Sequence, residues 1–148
     1  MKWTLEVVVV PVSDIDRAKR FYSEGVGFDI DHDTTGQAPD GAPIRIVQLT
    51  PPGSGCSIVI GSGAVPEMVP GSLKGLQLVV PDVRAAHAEL VERGVAVSDV
   101  QIVGVNPRAV PDPLDNVGFF FFDDPDGNSW AVQQISARGS GSSDAARG

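Results

Sequence analysis

The chain has 148 residues, the length of one domain with a single buried core. Its formal net charge is −8 and its basic residues form no block, so nucleic acid is disfavoured as a partner. No apolar run approaches the ~20 residues that span a membrane, and the N-terminal sequence lacks a signal-peptide pattern. A cytoplasmic protein without a membrane partner is therefore predicted, and the single cysteine, Cys56, is predicted to be a buried strand residue that forms no internal disulfide.

Eight strands are predicted from the apolar stretches of the chain. The first, in EVVVVPV, is apolar on both faces, so a helix is expected to cover one face and a lined cavity or a second layer the other. The strands are placed at residues 5–12, 27–32, 43–50, 56–61, 74–80, 95–103 (the weakest), 118–123 and 130–135.

Two helices are predicted from capping residues and helical spacing. The first begins at Ser13 or Asp14 and ends at Gly25, and the second begins at Asp82 and ends at Gly94. The apolar stripes expected to face the core are Ile15, Ala18 and Phe21 or Tyr22 in the first helix, and Val83, Ala86, Leu90 and Val91 in the second.

The second half of the chain repeats the first. VVVVPVSDIDRAKRFYSEGVGF superposes on GLQLVVPDVRAAHAELVERGVAV with Asp14 on Asp82, and TPPGSGCSIV on DPDGNSWAV with Gly53 on Gly127. The chain therefore reads as two βαβββ modules, at about residues 3–61 and 74–136, within one domain of residues 1–136.

Three segments lie outside the repeated elements. Residues 61–74 are rich in Gly, Pro and Ser and form the predicted linker between the modules. Residues 105–118 contain three prolines and are predicted to be a lid. Residues 137–148 have almost no apolar content and are predicted to be a disordered tail. The polar lid residues that would close over a ligand are Arg108, Asp112, Asp115 and Asn116.

The duplicated βαβββ pattern, the helix start VSDIDRAKRFY and the DPDGN turn before the last strand together resemble the vicinal oxygen chelate superfamily. Glyoxalase I, extradiol dioxygenases, and bleomycin and fosfomycin resistance proteins belong to that group. The resemblance covers residues 3–136. It implies an α+β, glyoxalase-like fold in which the two modules form a curled mixed sheet around a cavity, and it implies a homodimer.

In metal-dependent members of that superfamily, the first and last strands of each module supply His, Glu or Gln ligands. In this chain the resemblance places these ligand positions on Val7, Gly75, Ser57 and Ala131. The helix starts align the first two, the DPDG turn aligns Ala131, and module symmetry aligns Ser57. Three of these side chains offer no lone pair, and a serine hydroxyl is a poor ligand for Zn²⁺, Ni²⁺ or Fe²⁺. The resemblance therefore predicts that the usual metal site is absent, so no cofactor is expected.

The cavity lining follows from the alternation of side chains across each strand. A tight hairpin at DPDG would place Phe120 opposite Ala131 and Phe122 opposite Ser129 on the cavity side, with Trp130 facing the helices. The predicted ligand-binding residues are Val7, Val9, Gln48, Ser57, Val59, Gln77, Phe120, Phe122 and Gln133. Apolar and aromatic side chains with a few neutral amides suit a largely apolar organic ligand that bears carbonyl or hydroxyl groups.

The two histidines are weaker candidates. His32 lies between Asp31 and Asp33, where a carboxylate would orient it as a general base or join it in binding a metal. Adjacent strand residues point to opposite faces, so His32 cannot share its face with both aspartates, and an exposed position is favoured. His87, in the second helix, is predicted to lie on the surface.

Three functions remain open at this point. The first is a small-molecule-binding protein that sequesters a metabolite or antibiotic without a metal. The second is a metal-independent isomerase, cyclase or lyase that acts on a polyketide-like or aromatic substrate. The third is a metal-dependent enzyme of the glyoxalase or dioxygenase type with relocated ligands, such as His32 and the glutamines. The sequence does not decide whether a reaction is catalysed.

Overall fold

The computed structural model describes residues 1–106 and 110–139. The chain divides into two compact units. The first unit comprises Met1–Lys74 together with Asp124–Asn128, and the second comprises Gly75–Asp123 and the residues from Ser129 onward. No helix among the described residues is long and apolar enough to cross a membrane.

The first unit contains one mixed four-stranded sheet and one helix. The sheet has the order β1-β4-β3-β2, in which β1 runs parallel to β4 and the other pairs are antiparallel. Its elements are β1 (Val7–Val9), α1 (Ile15–Arg20) with a π-helical turn (Phe21–Val26), β2 (Asp29–Gln37), β3 (Pro43–Thr50) and β4 (Ser57–Ser62).

The first helical segment, α1 with its π-helical turn, begins where the sequence predicts and ends one residue later. Asp14 is its N-cap, and the Asp14 carboxylate accepts a 3.0 Å hydrogen bond from the backbone N–H of Arg17. The predicted end at Gly25 is wrong, because the π-helical turn carries the chain to Val26. Gly27 then adopts the left-handed conformation, at φ 91°, and ends the helix.

The core of the first unit lies between α1 and one face of the sheet. Ala18 and Tyr22 of the helical segment are fully buried, and so are Val47, Leu49 and Ile60 of the sheet. The valine run of β1 divides between the two faces, so that its end at Val10 is buried while Val7 keeps 38% of its surface exposed.

The second unit repeats this architecture. Its sheet has the order β5-β8-β7-β6, with β5 parallel to β8 and the other pairs antiparallel. Its elements are β5 (Leu76–Val80), α2 (Val83–Glu92), β6 (Gln101–Ile102), β7 (Gly118–Asp123), β8 (Ser129–Gln134) and α3 (Ser136–Gly139). The two predicted βαβββ modules are therefore present, although the weak strand at 95–103 is only two residues long.

Two further expectations about the second unit change. Val91 was assigned to the buried stripe of α2 but is 55% exposed, because it lies one residue beyond the core-facing Leu90 on the helix surface. The first residues of the predicted disordered tail belong to α3, and residues 140–148 lie outside the described residues.

The start of α2 depends on a glutamine that the sequence analysis did not single out. Gln134 is 2% exposed, and its Oε1 accepts a 3.0 Å hydrogen bond from the backbone N–H of Val83. Its Nε2 donates to Asp112 at 3.0 Å. Asp82, the predicted N-cap, accepts from the N–H of Ala85 at 3.1 Å. The side chains of Gln134 and Asp82 therefore each satisfy one free N–H group in the first turn of α2.

Candidate functional site

One face of the first unit's sheet carries five of the predicted ligand-binding residues, and it is named the first sheet face. Across β1 and β4, Val7 pairs with Ser57 and Val9 with Val59. Val59 also pairs with Gln48 across β4 and β3. Paired residues share a face, so all five lie together. Ser57 and Val59 are buried, whereas Val7 is exposed.

A chain of hydrogen bonds runs across the first sheet face. Gln48 Nε2 donates to Ser57 Oγ at 3.3 Å, the hydroxyls of Ser57 and Thr50 are 2.6 Å apart, and Thr50 Oγ1 donates to the Asp31 carboxylate. An ionised carboxylate only accepts, so Thr50 gives its proton to Asp31 and Ser57 donates to Thr50. Because the Ser57 proton goes to Thr50, the Gln48 side chain must donate to Ser57 through its amide nitrogen. The Gln48 Oε1 can then accept a hydrogen bond from a ligand.

Asp31 joins this chain of hydrogen bonds because of a β-bulge in β2 that the sequence does not predict. The register of β2 against β3 shifts between Ile30 and His32, so His32 pairs with Gln48 and the Asp31 side chain also reaches this face. His32 is exposed, as favoured from the sequence. No hydrogen bond joins its ring to another residue in the part of the chain that the structure describes.

Asp33 lies among cations and is not a partner of His32. Its carboxylate receives 2.8 Å contacts from Arg45 Nη2 and from Lys19 Nζ. The hydrogen bonds from the Arg45 guanidinium, followed by that from Lys19, hold the pKa of Asp33 far below its ordinary value. Asp33 is therefore an ion-pair residue, and it does not orient the imidazole.

In the second unit, the predicted faces of β7 are exchanged. Phe121 pairs with Ala131, and Phe122 pairs with Trp130. Phe120 is fully buried and Phe122 is 4% exposed, with its ring stacked on Trp130 at 5.9 Å. The assignment of Phe120 and Phe122 to the sheet face of Ala131 is therefore wrong, since both side chains lie in the core.

The exchange has its origin in the DPDGN turn. The backbone N–H of Asp124 donates to the carbonyl of Asn128 at 2.9 Å, and Gly127 is left-handed at φ 97°. Three residues therefore lie inside the closing bond, whereas the tight hairpin predicted from the sequence, with Phe120 opposite Ala131, requires two. A one-residue change in register moves every side chain to the opposite face.

The face of this sheet that bears Gln77 and Gln133, named the second sheet face, is aromatic and amide-lined. The Phe119 and Phe121 rings are stacked 6.1 Å apart at 9°, and Phe121 is 38% exposed. Gln77 Nε2 donates to Gln133 Oε1, and Gln133 Nε2 donates to the Asn116 carbonyl at 2.6 Å. Because that carbonyl only accepts, both amide orientations are determined, and Gln77 Oε1 is left for a ligand donor.

The segment predicted to be a lid is bound to its own unit where it is described. Asn116, at φ 67°, donates its N–H to the Gln134 carbonyl at 2.8 Å. The Asp115 carboxylate accepts from the backbone N–H of Ser136 at 2.8 Å and from the Ser136 hydroxyl. Arg108 lies outside the described residues.

Both lid carboxylates are stabilised in their ionised form by these contacts. The side-chain amide of Gln134, with the N–H of Leu114, lowers the pKa of Asp112. The hydroxyl and N–H of Ser136 lower the pKa of Asp115. These groups hold the segment against the end of β8.

The remaining single candidates have structural contacts. His87 Nε2 lies 3.0 Å from the Ser98 carbonyl, and its ring meets the edge of Phe120 at 5.3 Å. The surface position predicted for His87 is therefore wrong, since the residue is half-buried. Cys56 is also half-buried, and it precedes β4 where a strand residue was predicted.

Comparison with known proteins identifies the family. The family model of the Glyoxalase/Bleomycin resistance protein/Dioxygenase superfamily matches residues 4–132. The chain belongs to this superfamily. A comparison with curated proteins found no match.

Solved structures of the superfamily resemble the chain over nearly their whole length. TnmS3, an antibiotic binding protein from Streptomyces sp. CB03234, is 39% identical, with a TM-score of 0.66 over 91% of this chain and 98% of that chain. A glyoxalase/bleomycin resistance protein from the same organism is also 39% identical, with a TM-score of 0.63 over 88% and 100%. A superfamily member from Sphaerobacter thermophilus DSM 20745 is 26% identical, with a TM-score of 0.67 over 90% and 98%. The α+β, glyoxalase-like fold predicted from the sequence is confirmed, with neither sheet closed.

The positions that the superfamily resemblance assigns to metal ligands do not fit a divalent ion. Val7 lies opposite Ser57, and the Ser57 hydroxyl is bonded to its neighbours. Gly75 donates its N–H to Ser129 Oγ at 3.1 Å, and Ala131 has no donor atom in its side chain. In the part of the chain that the structure describes, no group of three or more His, Cys, Asp or Glu side chains is placed to hold a metal.

Two grooves were not predicted. One, of about 350 Å³, lies in the second unit and is lined by Ala96, Val97, Phe121, Phe122 and Asp123. The other, of about 250 Å³, lies in the first unit between the end of β1 and the segment after β4. Each groove is lined in part by a loop. The path of that loop depends on tertiary packing, so the sequence pattern does not predict the groove.

Proposed function

We propose that this superfamily member binds and sequesters a largely apolar organic molecule, a metabolite or an antibiotic, and releases it chemically unchanged. The observation that carries the proposal is the second sheet face, where the stacked rings of Phe119 and Phe121 lie beside the bonded amides of Gln77 and Gln133. Flat aromatic surface favours a planar apolar ligand, and oriented amides favour one with hydroxyl or carbonyl groups.

The first sheet face supports the same ligand chemistry. Its polar groups other than Asp31 and His32 are amides and hydroxyls, and Gln48 presents an oriented amide beside Val7 and Val9. Each face, taken by itself, therefore has a lining that suits such a ligand.

The similarity to TnmS3 adds support from outside the chain. That protein is described as an antibiotic binding protein, and it shares 39% identity over 98% of its length. Because this identity covers the whole fold, it supports a related binding role for this chain.

The arrangement of titratable groups favours binding over catalysis. Among the described residues no carboxylate is bonded to His32, and Asp31, Asp33, Asp112 and Asp115 are all engaged with other groups. A general acid–base pair needs a positioned partner within hydrogen-bond reach. Turnover by a metal-independent isomerase, cyclase or lyase is the alternative that the experiment below tests.

We also propose that the protein works without a metal and as a homodimer. The donor-free side chains of Val7, Gly75 and Ala131 support the first point. The exposure of Trp3 (87%) and Leu5 (69%), which precede β1, supports the second, because a subunit partner would cover such apolar surface. Light scattering should give about twice the 15.5 kDa chain mass, and a monomer would contradict the dimer.

The experiment for sequestration uses alizarin, a planar dihydroxyanthraquinone, as the probe. Calorimetry should detect saturable binding, and chromatography with mass spectrometry should recover unchanged alizarin after the protein is denatured. The control is a protein with Phe121→Ala and Gln77→Leu, which should not bind. Absence of binding by the wild-type protein would count against the proposal, and conversion of alizarin into a product would favour the enzyme.

A further inference from the structure

The groove of the second unit combines the exposed ring of Phe121 with a free carboxylate. It is lined by Ala96, Val97, Phe121, Phe122 and Asp123, and Asp123 lies at the end of β7. The Phe122 ring itself is buried against Trp130. The volume of about 350 Å³ accommodates a small organic group. This groove is contiguous with the second sheet face through the exposed ring of Phe121.

Asp123 differs from the other carboxylates of the second unit that border β8. Asp112 and Asp115 accept hydrogen bonds from their own segment and from Gln134 or Ser136. Asp123 is exposed, and no described residue donates a hydrogen bond to its carboxylate or forms an ion pair with it. Its negative charge is therefore free to attract a ligand.

The backbone adds a second acceptor at the same place. The closing bond between Asp124 and Asn128 turns the N–H and carbonyl of Asp123 away from β8, because successive residues of an antiparallel pair alternate in direction. At Phe121, two residues earlier in β7, Ser98 covers the same edge of the strand. The Ser98 N–H donates to the Phe121 carbonyl, and the Ser98 hydroxyl oxygen accepts from the Phe121 N–H. At Asp123, beside Ala96 and Val97, this edge of β7 is therefore left open to a ligand.

We propose that the groove binds a protonated amine of the ligand, with Asp123 as its counter-ion and the Phe121 ring under the adjoining aromatic or apolar part. This inference rests on the proposed function and names a class within it, aromatic molecules that carry an alkylamine. An ammonium group has three donors, which match a carboxylate and a backbone carbonyl. The face of an aromatic ring attracts a cation, and the net charge of −8 draws cations to the protein.

The test compares two fluorescent probes that differ in one charge. Dansylcadaverine carries a primary alkylamine on a naphthalene body, and its N-acetyl derivative is neutral at the same position. The wild-type protein should bind dansylcadaverine about fivefold to tenfold more tightly, and the preference should shrink when salt screens the exposed carboxylate.

Two variants test whether the Asp123 carboxylate causes the preference for the amine probe. Asp123→Asn should abolish the difference between the probes while leaving the affinity for the N-acetyl probe unchanged. Glu92→Gln, on the exposed surface at the end of α2, removes the same charge from a residue that does not line the groove and should keep the preference.

The outcomes separate this inference from the function on which it rests. Equal binding of both probes by the wild-type protein, or a preference that survives Asp123→Asn, would overturn the amine site and leave sequestration of apolar molecules standing. Binding of neither probe, together with no binding of alizarin, would overturn both proposals.

Discussion

The phenolic hydroxyl of Tyr22 donates a 2.7 Å hydrogen bond to the buried carboxylate of Asp124, the first residue of the DPDGN turn. Asn128 Nδ2 donates to the same carboxylate oxygen at 2.7 Å and to the Pro11 carbonyl at 2.8 Å. The Asn128 Oδ1 accepts from the N–H of Leu73 at 3.0 Å. The polar residues of this turn therefore satisfy one another and their neighbours in the first unit, and their role is structural.

The Tyr22→Phe variant should be less stable than the wild-type protein by about 1–3 kcal/mol, because a buried carboxylate loses a donor. Urea unfolding followed by fluorescence measures the difference. Thr34→Val is the control, since it removes a hydroxyl with only a 3.5 Å contact at the surface, and it should cost less than about 0.5 kcal/mol. Equal stability of Tyr22→Phe and the wild-type protein would contradict the structural role.

The two faces of β7 give an experiment with an internal control. Phe120→Ala should lower the free energy of unfolding by about 3–5 kcal/mol, because the ring is fully buried. Phe121→Ala, at a 38% exposed position, should cost much less stability and weaken the binding of alizarin. The reverse result, a stable Phe120→Ala and an unstable Phe121→Ala, would restore the register expected from the sequence.

The amide pair tests whether the second sheet face recognises ligands. Gln77→Leu and Gln133→Leu should each leave the protein folded and weaken alizarin binding about tenfold, the factor that ~1.4 kcal/mol represents. Gln37→Leu, at an exposed position in β2, is the control and should bind normally. If all three variants bind like the wild-type protein, recognition does not involve these amides.

The ion pairs of Asp33 predict how stability depends on pH. Its pKa is lowered from an ordinary 3.8, so its contribution to folding is complete well above that value and is lost progressively as the pH falls from about 3.8 toward the lower pKa of the folded state. The free energy of unfolding, measured by urea titration from neutral pH to pH ~3, should fall more steeply for the wild-type protein than for Asp33→Asn. Glu92→Gln, which removes the same charge from an exposed position, is the matched control. Parallel curves for Asp33→Asn and the wild-type protein would show that the ion pairs do not stabilise the fold.

Chelation tests the proposal of a metal-free protein. A bound metal stabilises the folded state by mass action, so its removal lowers the melting temperature. We expect EDTA to leave the melting temperature unchanged and elemental analysis to find well below one metal per chain. About one tightly held Zn, Ni or Fe per chain, with a lower melting temperature in EDTA, would contradict the proposal.

Local patterns in the sequence were sufficient for the elements and their order. Asp14 and Asp82 act as helix caps where the sequence predicts them, since a short carboxylate before an apolar stripe satisfies the first N–H groups of a helix. The duplicated strand–helix pattern predicted two βαβββ units, and the helix start with the DPDGN turn identified the superfamily. These signals are carried by residues close together in the chain.

The placement of side chains on the two sheet faces depended on details that local patterns do not contain. In the first unit, alternation placed Val7, Gln48 and Ser57 together correctly, but the bulge that brings Asp31 beside them has no signature in the DIDHDT sequence.

In the second unit, one additional residue inside the DPDGN turn moved Phe120 and Phe122 into the core and brought Phe121 to the surface. The number of residues inside that turn is set by the contacts of Asp124 and Asn128 with Tyr22, Pro11 and Leu73, which are far away in sequence. The sequence alone therefore determined which strands exist, and tertiary hydrogen bonds at the turn decided which of the β7 side chains are buried and which are exposed.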